Sequence, residues 1–159
     1  DRSKEKVYRR DGAAYFVQPY CLVWDNAQYY LVGREPGGEE TRHYRVDKMD
    51  SVTVTDMPAE TPRNFDPGAY VGRYFSMFSG RPAQVRLACR AEAAGVILDR
   101  FGRDVMLVPQ GDGFTVTLNV VVSPQFWGWL AALGGLAKPE APEWVTEEYH
   151  AYLRSLIED

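Results

Sequence analysis

The run Arg42-His43-Tyr44-Arg45-Val46-Asp47-Lys48 holds most of the chemistry this chain offers. Two guanidiniums and an ammonium in so short a span can hold an anion. Guanidinium forks match phosphate and carboxylate geometry, and the charge strengthens each hydrogen bond. Tyr30, on a strand expected to pair across the next loop, and Tyr20, on the strand before it, add aromatic faces. A base stacked on such a ring gains about 1–3 kcal/mol. The candidate ligand-binding residues are therefore Tyr20, Tyr30, Arg42, His43, Arg45 and Lys48, and the matching ligand carries phosphate and a stackable base. The competing reading is plain surface pairing of Arg45 and Lys48 with Asp47, Asp50 or Glu39.

Alternation along a strand sets Arg42, Tyr44 and Val46 on one face and His43, Arg45 and Asp47 on the other. Burial of Tyr44 and Val46 is expected, which leaves His43 and Arg45 toward solvent or a cleft. Lys48 follows the strand, and its long stem can reach round. His43 reads as a polar rim residue of that cleft. His43, His150, Cys21 and Cys89 show no metal-ligand spacing. No nucleophile–base order, paired acid–base signature or phosphate-cradling glycine loop is present, so the sequence does not read as an enzyme and implies no cofactor.

Short strands must position these residues. Tyr15 to Trp24 is aromatic and β-branched, with Pro19 marking an edge or a bulge. Asp25-Asn26 makes a turn, Gln28 to Gly33 resumes the strand, and Arg34 to Glu40 is a loop around Pro36-Gly37-Gly38. Arg42 to Val46 and Ser51 to Thr55 complete the set, which indicates a small barrel or sandwich. Residues 58–81 form a proline-rich connector, in which Tyr70, Tyr74 and Phe78 lie at the spacing of a short helix.

Residues 82–159 alternate strands and helices. Val85, Leu87 and Cys89 share one strand face. Ala91 to Phe101 is helical and stops at Gly102. Val105 to Val108 and Phe114 to Val122 are strands about a Gly111-Asp112-Gly113 turn. Ser123-Pro124 caps a helix striped by Phe126, Trp129 or Leu130, and Leu133. Pro142 opens a last helix with Val145, Tyr149, Tyr152 or Leu153, and Leu156 inward. The order β-α-β-β-α-(short β)-α predicts an α+β sandwich of ferredoxin-like character.

The chain is 45% hydrophobic and 25% charged, with a net charge of −4. Neither half is strongly basic, so bulk attachment to duplex DNA is not expected. No apolar run approaches the length of a membrane span. Cys21 and Cys89 read as reduced thiols of a cytoplasmic protein. The first residue is Asp1 rather than Met, which suggests a piece of a longer product.

Several strings, taken in order, resemble WYL-domain transcription regulators. Tyr29-Tyr30-Leu31 is similar to the Trp-Tyr-Leu triplet of that family, with Tyr in place of Trp. Pro19-Tyr20 resembles its Pro followed by a hydrophobic residue. Arg42 to Met49 resembles Arg-x-Phe-Arg-Leu-Asp-Arg-Ile, with Lys48 in place of Arg, which keeps the charge and loses the planar fork. Phe75 to Gly80, Asp99 to Gly102 and Phe126 to Leu130 resemble the C-terminal extension (WCX) of such regulators.

The resemblance implies a WYL domain over 1–57 folded as a five-stranded SH3/Sm-like barrel, the connector over 58–81, and a WCX-like α+β domain over 82–159. It implies the ligand-sensing and dimerisation region of a bacterial helix-turn-helix regulator. Its effector would be a nucleotide or single-stranded nucleic acid, and promoter DNA would be reached through a missing N-terminal domain. The alternative is a pure dimerisation or interaction module without a small effector. Trp127 and Trp129 lie two apart on one helix, so one of them is expected to be exposed at a homodimer contact. The acidic run of residues 139–159 is a solvated helix face, or faces a basic patch on a partner protomer.

Overall fold

A computed structural model describes residues 9–158, and these divide into two compact units, Asp1–Phe65 and Asp66–Asp159. Residues 1–8, the start of the expected first domain, lie outside the described residues.

The first unit is built on a three-stranded antiparallel sheet, β1 (Gln18–Asp25), β2 (Gln28–Arg34) and β3 (Thr41–Arg45), in that order. The Asp25–Gln28 turn joins β1 to β2, and both central residues, Asn26 and Ala27, adopt positive φ. Asparagine tolerates that conformation and matches the strand twist of a two-residue hairpin. The bulge signalled by Pro19 is present: the register slips between Pro19 and Cys21, leaving Tyr20 unpaired. Gly33 sits opposite Pro19. A Cβ there would lie 2.6 Å from the Gln18 carbonyl oxygen and 2.7 Å from a Val17 methyl, so the bulge requires glycine. A single 3-10 turn, Val46–Lys48, follows β3. Ser51 to Thr55, expected as a strand, pairs with nothing in the ladders: Val52 and Val54 are 76% and 94% exposed.

The second unit begins with a short helix, α1 (Pro67–Gly72), whose N-cap Asp66 accepts the Ala69 N–H. The rings of Tyr70, on this helix, and Tyr74, just beyond it, pack 4.9 Å apart. Phe78, on the same predicted stripe, is half-exposed. Phe75 and Met77 are buried in its place, because Ser76 and Met77 at positive φ turn the chain out of helical phase.

Then follow β4 (Arg81–Arg90), α2 (Ala94–Phe101), β5 (Leu107–Gln110), β6 (Gly113–Val122), α3 (Pro124–Ala132), β7 (Ala137–Ala141) and α4 (Glu143–Ser155). The sheet order is β5-β6-β4-β7, with every neighbouring pair antiparallel. The α+β expectation holds in this form: two antiparallel sheets, the second partnered by helices. Val85, Leu87 and Cys89 of β4 and Phe114, Val116, Leu118, Val120 and Val122 of β6 face the helices and form the core with Ile97, Phe126, Leu130, Val145 and Tyr149. α2 ends where Gly102, at φ 91°, donates its N–H to the Leu98 carbonyl.

Neither Trp127 nor Trp129 is fully exposed: Trp127 is buried and Trp129 half-buried. Trp127 is 7% exposed and packs on Tyr149 of α4, with ring centroids 5.6 Å apart. Trp129 packs on Phe75 at 5.2 Å and Phe101 at 5.7 Å. Different segments cover the two rings, so divergence of neighbouring side chains leaves Trp129 only partly exposed and Trp127 buried.

Candidate functional site

The first sheet carries the candidate residues, and its register decides which of them meet. Tyr30 stands opposite Arg45 across the β2–β3 ladder, Val32 opposite His43, and Gly33 opposite Arg42. Directly opposed residues share a face. Val23, Tyr30, Val32, His43 and Arg45 therefore lie on one face, and Leu22, Trp24, Tyr29, Leu31, Arg42 and Tyr44 on the other.

The burial expected for β3 is met in part: Tyr44 is half-buried and Arg45 exposed, while His43 is also half-buried and Val46 is exposed. The buried valines, Val23 and Val32, lie on the face of His43 and Arg45, and Val46 is not in the strand at all but opens the following turn. Strand alternation separates the faces correctly. It does not say which face is inward, because that depends on the neighbouring strands.

Arg45 is the best-defined group of the site. Its Nε and Nη2 donate to the two carboxylate oxygens of Asp47 at 3.0 and 2.9 Å, and Nη2 also donates to Gln28 Oε1 at 3.1 Å. Lys48 Nζ lies 3.8 Å from the same carboxylate. The Arg45 hydrogen bond, helped by the nearby positive charges of Arg45 and Lys48, holds the Asp47 carboxyl below the usual carboxylate range. It also raises the guanidinium's own pKa. Two cations thus hold one oxyanion, beside Tyr30 and at the solvent-exposed end of the ladder.

Arg42 is engaged elsewhere. Its Nη1 donates to Glu35 at 2.7 Å, and its Nη2 lies 3.7 Å from Glu40. Arg10 forks onto the same Glu35 at 3.1 and 3.0 Å, and its guanidinium lies over the Tyr15 ring at 4.5 Å. Tyr15 meets Tyr44 edge-on at 5.9 Å. Arg10 foremost, then Arg42, lowers the Glu35 pKa, while burial and the Glu35 charge raise that of Tyr44. A concavity of about 460 Å³ is lined by Arg10, Ala14, Phe16, Glu35, Pro36 and Met57, and one of about 330 Å³ by residues 35–40 and Arg42. Arg45 and Lys48 line neither. The Tyr20 ring packs on Phe65 at 5.1 Å.

The structure therefore brings Tyr30, His43, Arg45 and Lys48 to one region and leaves Arg42 and Tyr20 outside it. Sequence reading passed over Gln28, which helps orient Arg45. It also passed over the Arg10–Glu35 fork, whose partners stand 25 residues apart with no local signal. On the other face, Trp24 and Tyr29 are cross-strand partners with rings 4.6 Å apart, and with Leu22 they are 60%, 54% and 65% exposed. Among the described residues no group of histidine, cysteine and carboxylate side chains could hold a metal ion, and no helix is long and apolar enough to cross a membrane.

Comparison with known proteins assigns the chain. The model of the WYL domain matches residues 5–54, and that of the WCX domain matches residues 81–157. No curated protein matches. Among solved structures, the chain is similar to the proteasome accessory factor B/C (PafBC) of Arthrobacter aurescens, at 21% identity and a TM-score of 0.35. That similarity covers 82% of this chain and 20% of the other, so the chain spans about a fifth of its length. WYL and WCX are regulatory domains and not an enzyme family, and this chain belongs to that family as a WYL domain followed by a WCX domain.

Proposed function

We propose that the chain is the ligand-sensing and self-associating region of a cytoplasmic bacterial transcription regulator. In this reading promoter DNA is bound by a helix-turn-helix elsewhere in the protein, and the effector is anionic, a nucleotide or single-stranded nucleic acid. The domains of this reading are a WYL domain over 1–57 that completes an Sm-like barrel, a connector over 58–81, and a ferredoxin-like WCX domain over 82–159. The β5-β6-β4-β7 order of the second sheet is the order that a split β-α-β arrangement requires, which supports the last of these.

The observation that carries the effector reading is the shared hold of Arg45 and Lys48 on Asp47, directly across the ladder from Tyr30. An exposed ion pair is weakly held in water. A phosphate can therefore replace Asp47 in the Arg45 fork, with Lys48 as a second charge and Tyr30 and His43 as flanking ring surface. Arg42 acts outside this grip, where Glu35 ties it to Arg10 on the other face.

A second reading, an interaction module without small effector, is favoured by the exposed Leu22, Trp24 and Tyr29 surface. A fluorescence-polarisation screen of labelled nucleotides and short single-stranded oligonucleotides separates the two. Effector sensing predicts saturable binding that Arg45→Ala/Lys48→Ala abolishes. Binding that survives this double substitution removes the site, and no binding by any probe leaves the interaction reading.

A further inference from the structure

The concavity of about 460 Å³ in the first unit takes no part in the effector reading. Its wall is mostly apolar, formed by Ala14, Phe16, Pro36 and Met57. Phe16 and Met57 are 55% and 56% exposed, so two large apolar side chains face water there. Two charged groups, Arg10 and Glu35, complete the lining. Small-molecule sites have this make-up: an apolar hollow of about 300–1,000 Å³ with a few polar groups that fix orientation.

Arg10 indicates what the polar end would hold. Its Nη1 and Nη2 donate to the two oxygens of Glu35 at 3.1 and 3.0 Å, the forked geometry in which a guanidinium takes a carboxylate. The flat face of the same guanidinium lies 4.5 Å over the Tyr15 ring, which orients it and leaves its N–H edge to the carboxylate. Glu35 has a second hold, Arg42 Nη1 at 2.7 Å, shorter than either bond from Arg10. Arg10 can therefore leave Glu35 without stranding its charge. Glu40 pairs with Arg42, at 3.7 Å from an 81% exposed side chain. The Arg10–Glu35 pair is itself open to water, and such pairs are weakly held.

We propose that this concavity binds a small amphiphilic carboxylic acid. Its carboxylate is taken by the Arg10 fork in exchange for Glu35, and its hydrocarbon body lies against Phe16, Pro36 and Met57. A carboxylate fits the fork because Glu35 already does. A ligand led by an ammonium group would need a free acceptor, and Arg42 keeps Glu35 occupied. The flexible thioether of Met57 adapts to bodies of different shape. Arg45 and Lys48 do not line the concavity, so the inference goes beyond the effector reading and does not use its site.

The test is calorimetric titration of the whole chain with straight-chain alkanoates from butanoate to decanoate, and with the matching amides. Affinity for the acids should rise about two- to fourfold with each added methylene, the gain from burying that group, until the chain outgrows the hollow. Each amide should bind at least about tenfold more weakly than its acid, because it lacks the charge that Arg10 takes. Arg10→Ala should weaken octanoate binding by at least about tenfold and make acid and amide alike. Arg10→Lys, which keeps the charge and loses the fork, should fall between. Phe16→Ser should flatten the dependence on chain length. Trp24→Ala, which removes an exposed ring outside the concavity, should bind as wild type does. The acid–amide comparison uses wild type alone, so it stands even where a variant fails to fold. The proposal is overturned if no acid binds saturably at millimolar concentrations, if acid and amide bind wild type alike, or if Arg10→Ala binds as wild type does. It is also overturned if Trp24→Ala weakens binding as much as Arg10→Ala, which would place the acid on the exposed strand surface instead.

Discussion

Arg45 and Tyr30 are opposed across the β2–β3 ladder, and the guanidinium of Arg45 is gripped edge-on by both oxygens of Asp47. The site therefore holds its own anion. Asp47→Asn keeps the side-chain shape and removes the competing charge. An unscreened charge about 4 Å from an incoming phosphate is worth about fivefold in affinity. Nucleotide or oligonucleotide binding should tighten by about that factor at low salt, with the thermal midpoint unmoved. Equal or weaker binding would mean that Asp47 orients Arg45 rather than competing for it.

The second unit rests on α3. Phe126 is fully buried, with ring centroids 5.2 Å from Phe75 and 5.1 Å from Trp127. Phe126→Ala should destabilise this unit by about 3–5 kcal/mol in urea unfolding followed by tryptophan fluorescence. Ser123, whose hydroxyl accepts the Phe126 N–H at 3.3 Å, caps the same helix. Ser123→Ala should cost about 1 kcal/mol. Equal losses from the two substitutions would contradict this account of the core.

Much of this unit was legible in the sequence, because its signals are local. The alternation from Phe114 to Val122 states both the strand and its buried face, and Ser123-Pro124 states where the next helix starts. The first strand of the hairpin begins at Leu107 rather than Val105, since only its far end pairs with β6. The first unit was less legible. Its first three strands were found, yet the buried face of the sheet is set by Val23 and Val32 on β1 and β2, and both His43 and Tyr44 of β3 are half-buried. Likewise Phe75 and Tyr149, distant in sequence, are what half-cover Trp129 and help bury Trp127. Of the candidate site, the side chains and their alternation could be read. That Arg42 answers to Glu35 and Arg10 could not, because nothing in the spacing links a loop carboxylate to a residue before β1.

Cys89 gives a pH-dependent readout of the core. Burial, with a smaller contribution from the Glu140 charge, pushes its thiol up to about 11. Cys21, shifted in the same direction by burial alone, is only half-buried. A thiol reagent at pH 8 should therefore modify Cys21 first and reach Cys89 only on unfolding. The raised folded value fixes the sign of the linkage. The folded state keeps a proton that the unfolded chain releases near the ordinary thiol range, so this contribution is whole below that range and is lost as pH rises toward 11. Cys89→Ala should flatten the fall in stability over that window. Equal labelling of both thiols in the native protein would contradict the packing.

The most direct measurement of the central claim is the salt dependence of binding to a short labelled single-stranded oligonucleotide. Each phosphate contact adds about 0.7 to the slope of log affinity against log salt. Replacing Arg45 and Lys48 by alanine should weaken binding and reduce that slope by about 1.4, while the Arg42→Ala slope stays near that of wild type. A double variant whose slope and affinity equal those of wild type would contradict the claim that these two side chains hold the effector's phosphates.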